Sequence, residues 1–136
     1  MNKVMANGKL HEEPRFSIMQ NGSGVTAICK GTLLSNQANN DNFQGDLFPL
    51  ICFDDVAYYM KEKCKKEDEV VLYGFLANNR YKTSKDNLQT QVIVVTELID
   101  MTGKTIKNKG DIEEKVCQEM SEHGFSLETD LKKYFN

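Results

Sequence analysis

The sequence predicts a mainly β chain closed by a single helix. Three observations carry this. Four short runs rich in apolar and β-branched residues precede residue 54 and two more lie between 70 and 99. One stretch alone before residue 100, Asp54 to Lys66, has helical rather than alternating spacing. Asn21-Gly22 is a strong two-residue hairpin signal between two such runs.

Taken in order, Asn2 to Leu10 reads as a first strand, with Gly8 marking a bulge or a close backbone approach. His11-Glu12-Glu13-Pro14 is a polar break, and Arg15 to Gln20 a second strand. Val25 to Leu34 alternates, placing Val25, Ala27, Cys29, Gly31 and Leu33 on one face and Thr26, Ile28, Lys30 and Thr32 on the other. Ser35 to Asp46 is a loop rich in Asn, Gln, Asp and Gly with one aromatic, Phe43. Leu47 to Phe53 is an apolar strand that Pro49 assigns to an edge or a bulge, since proline cannot donate to a ladder.

In the helix, Asp54 or Asp55 can serve as N-cap. Val56, Tyr59, Met60 and Lys63/Cys64 follow its spacing, and lysines gather in its last turn, as the helix dipole favours. Val70 to Leu76 and Val92 to Ile99 are two further strands. Counted as three barrel strands, one helix and two strands, with one of the four runs before the helix left out of the barrel, this is the plan of a five-stranded OB-fold barrel with one helix between strands 3 and 4, a fold that binds oligonucleotides on one barrel face and with its strand-four to strand-five loop. Met101 to Gly110 is polar and carries two glycines. The expected organisation is an OB domain over 1–103, a linker over 104–110 and an acidic helical tail over 111–136. In that tail Ile112, Val116, Cys117 and Met120 form a helical stripe ended by Gly124, and Ser126 can cap a second short helix.

The composition is that of a globular domain, with 40% hydrophobic and 27% charged residues in 136. No apolar run reaches the roughly 20 residues of a membrane span, and no signal peptide is expected. Cys29, Cys52, Cys64 and Cys117 are scattered without a C-x-x-C, so neither a zinc site nor a structural disulfide is expected, and a reducing, cytoplasmic setting follows. No carboxylate pair, nucleophile–base set or phosphate loop has usable spacing. The chain reads as non-enzymatic, with no cofactor and no metal. The net charge of −3 is uneven: residues 1–109 hold 14 Lys+Arg against 13 Asp+Glu, and residues 110–136 hold 3 against 7.

The segment between the last two strands is the strongest functional signal. Asn78-Asn79-Arg80-Tyr81-Lys82-Thr83-Ser84-Lys85 puts an aromatic among cations on a hairpin, and from Val70 to Lys85 there are three cations and no acid. The ring offers a stacking face and Arg80, Lys82 and Lys85 offer phosphate contacts; the bland alternative is a solvated turn. Lys61, Lys63, Lys65 and Lys66, interleaved with Glu62, Glu67, Asp68 and Glu69, read as a solvated helix face with i,i+4 pairing. Tyr73 and Phe75 read as surface or subunit contacts rather than ligand platforms.

Met1-Asn2-Lys3-Val4 with Gly8-Lys9-Leu10, then Pro14, then Gln20-Asn21-Gly22 and Val25, resembles the opening of bacterial single-stranded DNA-binding proteins, which begin M-N-K-V-x-L-x-G-R-L and continue with D-P and Q-x-G-x-x-V. Phe48-Pro49-Leu50-Ile51-Cys52-Phe53 is similar to that family's F-I-P-C-V-A-W/F strand. Lys65-Lys66-Glu67-Asp68-Glu69-Val70 with Gly74 and Leu76 is similar to its K-K-G-S-x-V-x-x-x-G-x-L. The resemblance runs from residue 1 to about 101. It implies base stacking at Phe53 and Tyr81, phosphate contact beside Tyr81, single-stranded DNA as partner, and a homodimer or homotetramer working in DNA replication, recombination or repair with proteins of those pathways. Leu47 stands where the family has a stacking aromatic. Phe48 is the candidate substitute, although alternation points it to the opposite face. Ala77 and Asn79 stand where the family has arginines, Lys30 where a core leucine is common, and Glu67 where it has glycine. The tail lacks the family's acidic tip ending in Pro-Phe, which points to a phage or mobile-element relative. The alternative is an OB module turned to protein interaction, of primosome or accessory type.

Overall fold

A computed structural model describes residues 2–22, 24–35, 45–82 and 87–109. Its elements are β1 (Val4–Leu10), β2 (Arg15–Asn21), β3 (Gly24–Ser35), β4 (Asp46–Phe53), α1 (Asp54–Lys63), β5 (Glu69–Lys82), β6 (Asn87–Ile99) and β7 (Thr105–Lys107). Hydrogen-bonded neighbours run β1-β5-β6-β4-β3-β2, and β1 also pairs with β3. That last pairing, Lys9↔Leu34 and Leu10↔Leu33, turns the path into a ring of β1, β5, β6, β4 and β3. The ring has the five strands expected of an OB fold, and in chain order α1 falls between its third and fourth members. Strand β2 lies outside the ring as the second arm of a hairpin on β3 whose turn, between the paired residues Asn21 and Gly24, is one residue later than expected, and β7 is added to β6.

Alternation decides what fills the ring. Leu10, Cys29, Leu33, Leu50, Cys52, Leu72, Ile93, Val95 and Leu98 come from all five ring strands and pack as one buried cluster with Val56, Ala57 and Met60 of α1. The helix thus plugs one end of the ring. Each fully buried aliphatic side chain here contributes about 1.5–3 kcal/mol through removal of apolar surface from water. Cys29 and Cys52 face each other across the β3–β4 ladder, and both are free and buried with Cys64. Burial pushes the Cys29 thiol up to about 12 and the Cys64 thiol up to about 11, and drives Cys52 upward too, so these are inert core groups.

Two glycines permit the closure. A Cβ on Gly8 would sit 2.1 Å from the Leu34 carbonyl oxygen, where β1 crosses β3. A Cβ on Gly74 would sit 1.9 Å from the Val94 carbonyl oxygen, beside the register shift between Tyr73 and Gly74. Thr96 has no ladder partner at that bulge, and its hydroxyl donates to the Tyr73 carbonyl at 3.2 Å. Asn2 extends the β1–β5 ladder with its side chain: the Leu76 N–H donates to its Oδ1 at 2.6 Å and its Nδ2 donates to the Leu76 carbonyl at 3.1 Å.

The helix is shorter than expected and capped differently. Cys64 is already extended, and the chain turns through Lys65–Asp68, where the Asp68 carboxylate accepts from the Lys65 N–H at 2.9 Å. Glu67, in the place where the resemblance has glycine, takes φ 76 and donates its N–H to the Leu10 carbonyl at 2.8 Å. At the other end the N-cap is Phe53, with no side-chain cap. Asp54 Oδ1 instead accepts from the Ala27 N–H of β3 at 3.2 Å, and the Val56 N–H finds Asn108 Oδ1 at 3.2 Å.

That contact corrects the expected linker. The stretch 104–110 holds β7, which pairs Glu97↔Lys107 to Ile99↔Thr105. Beyond it the Lys109 N–H donates to Asp55 Oδ2 at 3.0 Å. A tight turn makes β7 possible: Asp100 Oδ1 accepts from the Thr102 N–H and hydroxyl and from the Lys104 N–H at 2.6–3.0 Å, and Gly103 supplies φ 86. The Asp100 carboxylate also accepts from the Tyr59 hydroxyl, joining the turn to α1. Asp46 to Phe53 forms a ring strand, and Pro49, its fourth residue, lies opposite Thr32 of β3 just before the β6 pairing begins at Leu50, so its other side is an edge as expected of proline. The expected helical tail over 111–136 lies outside the described residues, as do most of the Asn-rich loop with Phe43 and the hairpin tip with Lys85.

Two predictions follow from these local geometries. Glu67→Gly relieves a left-handed backbone that costs an L-residue about 1–2 kcal/mol, less the entropy glycine adds to the unfolded chain; it should raise the urea midpoint, corresponding to a gain of up to about 1 kcal/mol. The hydrogen bonds from Thr102 and then Tyr59 hold the Asp100 carboxyl down to about 2, and the same Asp100 contact pushes the Tyr59 phenol up to about 12. The folded state favours the carboxylate and the neutral phenol. Their stabilisation should therefore fade as pH falls from about 4 through 2, and again as pH rises from about 10 through 12. Melting curves should show both losses, with Asp100→Asn flattening the acid limb and Tyr59→Phe the alkaline limb.

Candidate nucleic-acid interface

The ring has a second apolar layer on its outer face. Ile28, Ile51, Phe53, Phe75, Ala77, Val92 and Val94 form a cluster distinct from the interior one, with Met19 of β2 packed against it. These positions alternate with the interior set on β3, β4, β5 and β6. Residues directly opposite in a ladder project to the same face, and the register supplies the pairs Ile28↔Phe53, Ile51↔Val94, Phe75↔Val94 and Ala77↔Val92. Both faces of β3 are therefore apolar at its centre, whereas Val25, expected on the apolar face, is exposed near the hairpin turn. Phe75 is buried in this outer layer, not a surface or subunit contact in the described structure.

Phe53, an expected stacking residue, is only 3% exposed. It is the last residue of β4 and the N-cap of α1, so its position is fixed from two directions. Phe48 sits near the start of β4 at 37% exposure, opposite Leu33 and hence on the interior-facing side of the strand. Leu47, opposite Leu34, projects to the outer face and is 52% exposed. The outer face thus has an accessible apolar position where the resemblance puts an aromatic, and Phe48 does not share that face.

Arg80, Tyr81 and Lys82 lie at the end of β5, which is paired to β6 without a break from Gly74↔Val95 to Lys82↔Asn87. Their rungs are Arg80↔Gln89, Tyr81↔Leu88 and Lys82↔Asn87. The expected loop residues are thus largely strand: β5 runs six residues beyond the predicted Leu76 end, to Lys82. The apolar pattern stopped at Leu76 because Asn78, Asn79 and Arg80 are polar, but the ladder does not depend on side-chain hydropathy.

Two cations on the outer face carried no weight in the sequence. Arg15 lies directly opposite Lys30, and Lys30 opposite Ile51, so both project to the face of Phe53 and Val94. Burial and then the Arg15 charge lower the Lys30 ammonium below its usual value. Arg15 is tied to Glu12 at 3.5 Å. Like charges directly opposite in a ladder are unfavourable, and Glu12 offsets that of Arg15. Folding the hairpin about Asn21-Gly22 would have set Arg15 opposite Ile28; the observed turn lies one residue later, with Asn21 paired to Gly24, and only that register brings Arg15 to Lys30.

Among the described residues no group of three His, Cys, Asp or Glu could hold a metal ion, and no helix is long and apolar enough to cross a membrane.

A five-stranded ring with a helix between its third and fourth strands, and an apolar outer face flanked by a long two-stranded arm, defines an OB-fold domain. The chain belongs to the Single-strand binding protein family, which matches residues 1–102. Among solved structures it is similar to the SSB domain of a Synechococcus sp. protein, with TM-score 0.55 and 21% identity over 72% of this chain and 93% of that one. It is also similar to the Plasmodium falciparum SSB in complex with ssDNA, with TM-score 0.62 and 20% identity over 74% of this chain and 95% of that one. These likenesses establish the shared fold.

The burial of Phe53 yields a direct expectation. Phe53→Ala should cost about 3–5 kcal/mol of stability, as for other buried aromatics, seen as a fall in the urea midpoint. An exposed stacking platform would show almost no change.

Proposed function

We propose that the protein binds single-stranded DNA with little sequence preference, across the outer face of β3, β4, β6 and β5 and along the β5–β6 arm. The observation that carries this is the unbroken register of the arm from Ala77↔Val92 to Lys82↔Asn87. It carries Arg80, Tyr81 and Lys82 on a paired strand in place of a turn. In this reading bases stack on Tyr81 while Arg80, Lys82 and Lys85 meet phosphates, and Arg15 and Lys30 extend the cationic path. Phe53 acts from beneath, as part of the packed layer under the strand, and Leu47 offers a weaker apolar contact where an aromatic would stack. Phe48, on the interior-facing side of β4, lies off this path. Family membership supports the reading.

Each neutralised phosphate releases counterions, so affinity falls as salt rises. With Ala77, Asn79 and Leu47 in place of two arginines and an aromatic, the protein binds more weakly than a fully equipped relative. Further parts of the proposal are a homodimer or homotetramer, a cytoplasmic setting, and service in replication, recombination or repair on a phage or mobile element. The OB unit extends through Lys109, because β7 and Asn108 are built into it.

The test is fluorescence anisotropy of a labelled oligo-dT at rising salt. The wild type should bind with a negative log–log salt slope, and Tyr81→Ala should cost about 1–3 kcal/mol, the usual value of one base stack. Arg80→Gln and Lys82→Gln should each make the slope shallower by about 1. Unchanged affinity in Tyr81→Ala would overturn the mechanism. No binding at low salt, with a stable complex to a replication or recombination protein, would select the protein-interaction alternative.

A further inference from the structure

The outer face ends at β2 in a charged corner. One row of directly opposed residues crosses it, Arg15↔Lys30↔Ile51↔Val94↔Phe75, through β2, β3, β4, β6 and β5. At about 4.8 Å per strand the row is roughly 19 Å long, with the root of the arm at its β5 end and the two cations at the other. Met19, which shares the parity of Arg15 on β2, packs against the outer apolar layer, so β2 continues this face. Arg15 is exposed and Lys30 half-buried.

A carboxylate is fixed in the same corner. Glu12 Oε1 accepts from the Thr32 hydroxyl at 3.1 Å and lies 3.5 Å from Arg15 Nη2. Thr32 is two residues beyond Lys30 on β3, hence on the same face and about 7 Å along the strand. Its rung, Thr32↔Pro49, separates the Lys30↔Ile51 rung from the Leu34↔Leu47 rung. Thr32 therefore holds a negative charge between Lys30 and Leu47, two positions that the proposed path uses. Glu13 is engaged elsewhere: its Oε1 accepts from the Lys66 N–H at 3.1 Å, in the turn after α1. The Glu12–Arg15 contact is longer than the about 2.7–2.9 Å of a charge-assisted hydrogen bond, and the two side chains are 45% and 66% exposed. An exposed ion pair of this kind contributes little, so an incoming phosphate can displace it.

We propose that Glu12 is a latch on the outer face, an internal competitor for the phosphate that Arg15 and Lys30 would meet. This rests on the reading that a single strand crosses the face. Without DNA the Glu12 carboxylate, anchored by Thr32, sits against Arg15 and repels phosphate from Lys30. A strand phosphate reaching the corner takes its place on Arg15. Arg15 then adds to binding only the difference between its contact with phosphate and its contact with Glu12. Removing that one carboxylate strengthens binding without any new cation.

The experiment is anisotropy of labelled oligo-dT over a salt series, with Glu12→Gln, Arg15→Gln, the double variant and Glu13→Gln. An amide oxygen can still accept from the Thr32 hydroxyl, so Glu12→Gln should keep the wild-type urea midpoint and remove the charge alone. It should raise affinity about two- to fivefold at low salt, the range set by one exposed ion pair, and steepen the log–log salt slope by about 1. Arg15→Gln should weaken the wild type less than it weakens Glu12→Gln. Glu13→Gln makes the same charge change and should leave affinity and slope at wild-type values. No gain in Glu12→Gln, an equal gain in Glu13→Gln, or a gain undiminished when Arg15 is also replaced would each overturn the latch. Any of these, with the wild type still bound and weakened by Tyr81→Ala, would leave the proposed function standing. No binding by either the wild type or Glu12→Gln would overturn both.

Discussion

The structure depends on one close approach, the crossing of β1 over β3. Only there does an open sheet become a ring, and the ladder contact is two residue pairs long. The crossing survives because Gly8 lets the backbone meet the Leu34 carbonyl, and because β1 is tied down on both sides of it. The Leu10 N–H donates to the Asp68 carbonyl at 3.0 Å, the Glu67 N–H returns to the Leu10 carbonyl at 2.8 Å, and the His11 N–H reaches the Thr32 carbonyl at 2.8 Å. Closing the ring removes two free sheet edges and encloses the interior cluster that α1 plugs. It also sets the outer face, because every residue that does not point inward on the central strands must point out.

That consequence explains the second apolar layer. Strands buried on one face alone show alternation of apolar and polar residues. Here Ile51, Cys52 and Phe53, or Val92 to Val95, are continuous apolar runs, and the structure buries both of their faces. A ligand face built over such a layer is stiff, since close-packed side chains beneath it resist displacement. In the proposed function this stiffness pre-organises the arm that carries Tyr81 and limits the ordering cost that binding would otherwise carry.

The sequence made the ring strands, the helix and the hairpin legible, because each follows a hydrophobic period with clear punctuation. Gly8 was legible as a close approach for the same reason. What it hid was β7 and the arm. Thr105–Lys107 is polar and short, and its strand state comes from the Asp100 turn and pairing with β6, neither of which has a periodic signature. The arm continues past Leu76 through Asn and Arg because its partner strand carries the register onward. The site was legible in part: the rungs of Arg80, Tyr81 and Lys82 could be placed near a hairpin end. The burial of Phe53 could not, since one strand sequence does not reveal whether its outer face is covered. The Arg15–Lys30 pair needed the hairpin register as well as the residues.

The central claim is that the outer face of the barrel and its arm, not the helix side, take up a single strand. Its most direct test is a ¹H–¹⁵N titration of the protein with unlabelled oligo-dT at low salt. The account predicts shifts at the amides of Lys30, Leu47, Ile51, Val92 and the β5–β6 arm, with α1 and β7 unmoved. Shifts centred on Tyr58, Lys104 and Lys107, or no shifts at saturating oligonucleotide, would contradict it.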